Sequence, residues 1–145
     1  MEGGKVTGKV YWIEMQVRDY ELDQYGVVNN SVYNNFLEHA RHEFLTQIGI
    51  DAAQVAETGR SLALSKLNLR YRISLRSKDR FRVSVTISEL SGARVVFHQS
   101  IQRMDDDALC LEALAEAAFL DERGKPMRVA LEHRDAFLPY LVPGK

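Results

Sequence analysis

The sequence predicts an α+β protein in which β-strands pack against one long helix. Between Tyr33 and Ile48, apolar residues recur at spacings of three and four, which is the period of one face of a helix. Segments on both sides of this helix alternate apolar and polar residues instead, as half-buried strands do. The order along the chain is one strand, the long helix and then four strand candidates. We therefore expect an α+β domain with a single central helix.

Length and composition limit the class of protein. A chain of 145 residues with 46% hydrophobic content fits one globular domain over residues 1–145, with the first eight residues flexible because they are glycine-rich. Nineteen basic residues against 20 acidic ones argue against a nucleic-acid partner. No apolar run approaches the roughly 20 residues that cross a bilayer, and no export signal is visible. We expect no membrane partner and a cytoplasmic location, or a stromal one if a transit peptide was removed.

The first half of the chain places the helix. A strand is predicted within Lys9–Asp19, followed by a polar turn over residues 23–26. Asn30 or Ser31 is the expected N-cap of the helix, and Gly49 is the expected stop. The predicted buried stripe contains Tyr33, Phe36, Leu37, Ala40, Phe44 and Ile48. The predicted polar face contains Asn34, Asn35, Glu38, Arg41, His42 and Glu43, and Glu38 is spaced to pair with Arg41 or His42.

The second half contains the remaining strands. A short helix is predicted at Asp51–Thr58, and a terminal helix at Leu131–Leu141 that breaks near Pro139. Strands are predicted at Ser61–Ile73, Asp79–Leu90 and Arg94–Met104, with turns at residues 91–92 and 105–107. The segment 108–120 is ambiguous, because its Ala, Leu and Glu content favours a helix whereas its alternation favours a strand.

Asp23 lies on the loop that approaches the long helix. The first turn of a helix offers unpaired N–H donors and a partial positive charge of about half an electron. That end can polarise a carbonyl oxygen while a nearby carboxylate faces the carbonyl carbon or a water. The plainer interpretation is a turn aspartate held by its own backbone. Asp19 and Glu21 lie close by and are expected to be solvated.

A family resemblance rests on this stretch. The pattern Asp23-x-x-Gly26-Val27-Val28, then Tyr33, then Glu38-x-x-Arg41-x-x-Phe44, resembles the hotdog-fold thioesterases of the 4-hydroxybenzoyl-CoA thioesterase-like group. The segments ELDQYGVVNN and RHEFL look most like the branch of plant single-hotdog acyl-carrier-protein thioesterases that includes methylketone synthase 2. The resemblance implies one hotdog domain, in which a five-stranded antiparallel sheet wraps the helix and residues 108–120 form the last strand. It also implies homodimers or homotetramers with active sites across the dimer interface.

The resemblance assigns roles to particular residues. Asp23 is implied as nucleophile or general base, and a backbone amide around Asn30 as the group that polarises the carbonyl. Glu38 and Arg41 are the further catalytic candidates. The substrate-binding candidates are Tyr25, Gly26, Val27, Asn29, Ser31, Tyr33, Leu64 and Ser65. Plainer interpretations stay open: helix capping for residues 29–31, packing with a tethered hydroxyl for Tyr33, and a surface ion pair for Glu38 with Arg41.

Other reactive side chains point to no cofactor and no metal. His39 and His42 lack a third ligand in the sequence, and the single cysteine, Cys110, rules out an intramolecular disulfide and fits a buried small residue. A basic cluster contains Arg70, Arg72, Arg76, Lys78, Arg80 and Arg82. It suits either the diphosphate of CoA and the acidic face of a carrier protein, or a solvated strand edge. Lys66 stands where an acidic residue is expected in plant relatives, so the sequence does not determine the substrate pocket.

The expected function is hydrolysis of an acyl thioester of acyl carrier protein or CoA. The aliphatic strand that begins at Ser61 favours a fatty, 3-ketoacyl or polyketide acyl group. An aromatic acyl-CoA thioesterase is the alternative within the family. A hydratase is disfavoured because no histidine precedes His39. A non-catalytic thioester-binding module is disfavoured by the carboxylate of Asp23.

Overall fold

The computed structural model describes residues 7–142. The strands are β1 (Tyr11–Gln16), β2 (Ser61–Tyr71), β3 (Arg80–Ser91), β4 (Arg94–Arg103) and β5 (Leu109–Leu120). The helices are α1 (Asn30–Gln47), α2 (Ala52–Glu57) and α3 (Leu131–Phe137), with short 3-10 turns at Asp19–Glu21 and Leu138–Tyr140. Residues 1–6 of the segment expected to be flexible lie outside the described residues. Of the other two, Thr7 donates from its hydroxyl to the carbonyl of Pro139 at 3.0 Å.

The five strands form one antiparallel sheet in the order β1-β3-β4-β5-β2. The predicted α+β hotdog architecture is therefore confirmed, with β1 and β2 as the two edge strands. The central strands β3, β4 and β5 turn alternate side chains towards α1, and these side chains are buried. Edge strand β2 is much less covered, and its residue Leu64 is 48% exposed.

The apolar stripe of α1 is the centre of the core. Five of its six predicted members are buried and Ile48 is partly buried. Aromatic contacts join the helix to the sheet and to the C-terminal turn, with Phe36 and Phe81 at 4.7 Å and Phe44 and Tyr140 at 4.9 Å between ring centroids. Burial of this stripe on one sheet face supplies most of the stability of the helix.

The ambiguous segment is a strand. In β5, Leu111, Ala113, Ala115, Ala117 and Phe119 lie on the buried face, and the residues that alternate with them lie on the opposite face. Pairing of β5 with β4 on one side and β2 on the other satisfies its backbone groups. Cross-strand pairing and burial therefore override the helical propensity of its alanines and leucines.

Three residue-level expectations are corrected by the structure. The N-cap of α1 is Asn29, rather than Asn30 or Ser31. Glu21 is buried, rather than solvated, because its carboxylate accepts the Arg18 N–H at 2.7 Å inside a tight turn. Arg41 is only 7% exposed, rather than part of the polar face of α1, because its guanidinium turns under the helix towards the sheet.

Candidate active site

The loop before α1 is a small hairpin. Leu22 and Val28 pair as an antiparallel bridge, and the Asp23 N–H donates to the Val27 carbonyl at 2.8 Å. The turn closes when the Gly26 N–H donates to the Asp23 carbonyl at 3.1 Å. Gly26 has a φ of +75°, and a Cβ there would meet nothing within 4 Å. The positive φ of this turn, rather than a lack of space, is therefore the reason for glycine within one protomer.

The Asp23 carboxylate is tethered through one oxygen. Its Oδ1 accepts the Tyr25 N–H at 2.8 Å and the Val27 N–H at a longer 3.4 Å. These are the contacts of a turn aspartate, so the plainer interpretation accounts for Oδ1 but not for the second carboxylate oxygen. Its Oδ2 has no hydrogen-bond donor among residues 7–142. The hairpin thus holds a half-buried carboxylate in a fixed orientation with one oxygen free.

Backbone hydrogen bonds fix this hairpin against the start of α1. The Asn29 N–H donates to the Glu21 carbonyl and the Val28 N–H donates to the Leu75 carbonyl, both at 2.9 Å. Val27 also forms an isolated bridge with Arg76. These contacts set the position of Asp23 relative to the N-terminus of the helix.

The first turn of α1 leaves the backbone N–H of Asn30 available. Asn29 Oδ1 accepts the Ser31 N–H at 3.1 Å and the Ser31 hydroxyl at 3.0 Å, and the Asn29 carbonyl accepts the Val32 N–H at 2.9 Å. Within the described part of the chain, the Asn30 N–H has no acceptor. Asn29 and Ser31 therefore cap the helix, and Asn30 keeps a free N–H at its positive end.

Two tyrosines join this helix end to the segment after β2. The Tyr33 hydroxyl accepts the buried Leu75 N–H at 2.9 Å, which confirms the packing role with a tethered hydroxyl. Burial raises the pKa of Tyr33, and the bond from Leu75 partly opposes that rise. The Tyr71 hydroxyl donates to the Asn30 carbonyl at 3.3 Å. Tyr25 projects into solvent with 77% of its surface exposed.

A second group of predicted residues lines a groove between α1 and β2. We call this the Arg41 groove; it has a volume of about 220 Å³ and is lined by Glu38, Arg41, His42, Leu45, Leu62, Leu64, Phe97 and Ala117. The guanidinium of Arg41 donates to Gln99 Oε1 at 2.9 Å, and Gln99 Nε2 donates to the Leu37 carbonyl at 3.0 Å. Burial lowers the pKa of Arg41, while the charge of Glu38 acts in the opposite direction.

Gln99 is a residue that sequence reasoning missed. It is fully buried on β4 and holds Arg41 in the groove. Its only sign in the sequence is a polar residue at an inward position of an alternating strand, between Phe97 and Ile101. A buried amide at such a position needs partners, and the side chain of Arg41 and the backbone of α1 provide them.

One protomer does not bring the two groups together. Asn30 and Arg41 are 11 residues apart on α1, which corresponds to about 16 Å along the axis. The hairpin and helix start carry Asp23 and Asn30, whereas the groove carries Glu38, Arg41 and Leu64. Ser65 lies beside the groove at a bulge of β2, where its hydroxyl donates to the Glu116 carbonyl at 3.1 Å.

Metal ligands and membrane-spanning helices would indicate other classes of function. Among residues 7–142, no three His, Cys, Asp or Glu side chains converge as metal ligands would. Within the same part of the chain, no helix combines the length and apolar character needed to cross a bilayer. Cys110 is buried and its pKa is raised by that burial, in line with the expected small core residue.

Comparisons with known proteins identify the family of this chain. A family model described as thioesterase-like superfamily matches residues 17–137. The chain is 43% identical over 141 residues to the acyl-acyl carrier protein thioesterase ATL3, chloroplastic, of Arabidopsis thaliana, which covers 97% of this chain and 74% of that protein. It is 42% identical to ATL2 of the same plant over 94% of this chain and 73% of that one.

Solved structures share the fold. The 1,4-dihydroxy-2-naphthoyl-CoA thioesterase Slr0204 from Synechocystis superposes with a TM-score of 0.84 at 18% identity, covering 89% of this chain and 96% of that one. At that identity the likeness establishes the hotdog architecture alone. The family match over residues 17–137 and the identity to ATL3 go further: the chain belongs to the thioesterase-like superfamily and is a thioester hydrolase.

Proposed function

We propose that this protein hydrolyses fatty or 3-ketoacyl thioesters of acyl carrier protein, with Asp23 as the catalytic carboxylate and the Asn30 N–H as the carbonyl-polarising donor. The observation that carries the proposal is the pair of free atoms at one helix end, namely Oδ2 of Asp23 and the N–H of Asn30. The names of the Arabidopsis relatives support a carrier-protein thioester as the substrate. Their chloroplast designation makes the stroma the compartment to test first.

The chemistry follows from these two groups. The carbonyl oxygen of the thioester accepts the Asn30 N–H, and the positive end of α1 stabilises the negative charge that develops on it. In one route Asp23 Oδ2 attacks the carbonyl carbon, the thiolate leaves and takes up a proton, and water then cleaves the mixed anhydride. In the other route Asp23 removes a proton from water, whose oxygen attacks the carbonyl carbon; the C–S bond then breaks, and the thiolate takes up the proton that Asp23 removed. In a single turnover in heavy-oxygen water, Asp23 becomes labelled when water attacks the aspartyl carbonyl of the anhydride, an outcome that the second route cannot give.

A second protomer completes the site in this proposal. Edge strand β2 exposes Leu64 by 48% and Tyr71 by 47%, and an open edge with such apolar side chains suits pairing with another copy. A two-fold axis through an antiparallel β2 pair brings the Tyr71 end of one strand to the Ser61 end of the other. Tyr71 lies at Asn30, and Leu62 and Leu64 line the Arg41 groove. The catalytic end of one protomer then faces the groove of its partner.

The groove in the second protomer suits an acyl group. Leu45, Leu62 and Phe97 give it apolar walls, and Arg41 provides N–H donors for an oxygen such as that of a 3-keto group. Glu38 lies at the same groove as a further polar wall. The proposal leaves two alternatives open. The assembly is a dimer or a tetramer, and the substrate is a thioester of carrier protein or of CoA.

The decisive experiment is thiol release from a panel of fatty acyl-carrier-protein, fatty acyl-CoA and aromatic acyl-CoA thioesters. We expect Asp23→Asn to lower the rate at least about a hundredfold, which is the scale of a positioned acid–base or nucleophilic group. Asp19→Asn is the matched control, because Asp19 is an exposed aspartate nearby whose carboxylate, among residues 7–142, accepts only the Ser77 hydroxyl, at 3.3 Å.

The outcomes separate the candidate functions. Equal loss in both variants, or no loss in Asp23→Asn, would contradict the catalytic role of Asp23. A preference for aromatic CoA thioesters would replace the fatty acyl substrate. Binding of thioesters without thiol release by the unmodified protein would favour a binding module.

A further inference from the structure

We infer that the acyl tail continues beyond the Arg41 groove into a channel beneath α2, and that the small residues on one face of α2 set the longest chain that fits. This inference rests on the proposed function, because the channel starts at the groove assigned to the acyl group. The ligand class is a straight fatty acyl chain of medium or greater length.

The channel consists of three cavities that share walls. The Arg41 groove shares His42, Leu45 and Leu62 with a second cavity of about 190 Å³, which lies between α1, α2 and the start of β2. That cavity shares Val55 and Arg60 with a third one of about 220 Å³, which extends to α3. Ligand pockets usually measure about 300–1,000 Å³, so each cavity alone is small and the run as a whole fits a long tail.

The walls of the second cavity suit methylene groups, because Leu45, Ile50 and Leu62 face it. The third cavity is mixed: Phe119 and Met127 face it beside polar residues such as Glu132 and His133. Arg60 borders both, but its charge is turned outwards to Glu122, with Nε and Oε1 at 3.1 Å. Its aliphatic stem is then the part available to the channel.

Helix α2 has an apolar face that is only partly covered in one protomer, because Val55 packs against the core whereas Ala52 and Ala56 are exposed. Ala52, Val55 and Ala56 recur at spacings of three and four and all line the second cavity, yet α2 contains no buried residue. Such a face gains stability only when something apolar covers it. Because this face borders a cavity that shares three lining residues with the Arg41 groove, the acyl tail is the occupant that the geometry supplies.

The test is a chain-length profile for an obstructed channel. In Ala56→Phe the ring projects into the second cavity. We expect kcat/KM for palmitoyl thioesters to fall at least about tenfold while octanoyl thioesters react as before, since losing even one methylene contact in an apolar pocket costs about tenfold or more. Ala53→Phe is the matched control, because Ala53 lies on the same helix, is equally exposed and lines none of the three cavities.

A binding series separates this inference from the proposed function. Non-hydrolysable acyl-pantetheine thioethers from octanoyl to palmitoyl are titrated into the same proteins by calorimetry. Selective weakening of the long members by Ala56→Phe supports the channel even if no thioester is hydrolysed. Identical profiles for Ala56→Phe, Ala53→Phe and the unmodified protein overturn it while thiol release keeps the proposed function intact. Ala52→Phe, one turn earlier on the same face, repeats the test if Ala56→Phe does not fold.

Discussion

At the scale of single residues, Arg41 and Gln99 form a buried hydrogen-bonded pair that constrains the side chain of Arg41 in the groove. Both side chains are buried, and Gln99 provides the hydrogen-bond acceptor for a charged group beneath the helix. We expect Gln99→Leu to lower the free energy of unfolding by about 2 kcal/mol, because hydrogen bonds to charged groups contribute about that much. Urea unfolding measures the change.

Gln102→Leu is the control for that prediction. Gln102 is a glutamine on the same strand, is only partly buried and has no hydrogen bond from its side chain within the described residues. Its substitution should change the stability by less than about 0.5 kcal/mol. The double variant Gln99→Leu with Arg41→Met should recover part of the loss, since removing both partners leaves no orphaned polar group. Equal effects of the two glutamine substitutions would contradict the proposed constraint.

The residues themselves show what the sequence could reveal about the site. Asp23 could be singled out because a carboxylate before a helix start is visible in one short segment. Gln99 could not, because its partner Arg41 lies 58 positions away in the sequence and only the fold brings them together. Glu21 was misplaced for a similar reason: its burial depends on a tight turn whose side-chain contacts no periodicity encodes.

At the scale of elements, the joint between the start of α1 and the segment after β2 positions the hairpin that carries Asp23. Tyr33 holds this joint through the Leu75 N–H, and both residues are buried. We expect Tyr33→Phe to lower the free energy of unfolding by about 1–3 kcal/mol, which is the cost of leaving a buried donor unsatisfied. Chemical denaturation measures this change.

Tyr71→Phe is the matched control at the same joint. Tyr71 is 47% exposed, and its hydroxyl makes a longer bond of 3.3 Å to the Asn30 carbonyl. Water can replace that bond, so we expect less than about 0.5 kcal/mol of loss. If the two phenylalanine variants are equally stable, Tyr33 acts by ring packing alone and its hydroxyl does not hold the joint.

Periodicity predicted the elements better than their ends. The stripe of α1 was visible because one helix face meets one sheet face, and the structure buries it. The N-cap is Asn29 rather than Asn30. Adjacent asparagines offer the same side chain, and the hydrogen bond from the Asn29 N–H to the Glu21 carbonyl fixes the backbone that decides which one caps the helix. For β5, single-residue propensity pointed to a helix, and the strand depends on neighbours β4 and β2 that are distant in sequence.

At the scale of the whole molecule, the open edge of the sheet links fold to function. The sequence predicts the helix that separates Asp23 from Arg41, but no local pattern shows that β2 is an open edge of the sheet. The separation follows from the length of α1, and a two-fold pairing of β2 is what would close it. If Asp23 and Arg41 meet across such an interface, a homodimer with either residue replaced has no intact site. A dimer of one Asp23 variant and one Arg41 variant has one intact site.

Mixed dimers test this arrangement. Asp23→Asn and Arg41→Met are co-expressed with different tags, and each homodimer alone is expected to release little thiol. In the mixed dimer both substitutions fall in one site and the other site has wild-type residues throughout. Random pairing makes half the dimers mixed, so we expect about a quarter of the unmodified activity to return.

The control combines two substitutions of the same residue, Asp23→Asn with Asp23→Ala, in which no dimer regains an intact site. If activity returns in the first mixture but not in this control, Asp23 and Arg41 act together across the interface. If the first mixture gives only the average of its two homodimers, both residues act within one chain. The Arg41 groove would then receive an acyl tail from the same protomer, and the β2 edge would have no part in catalysis.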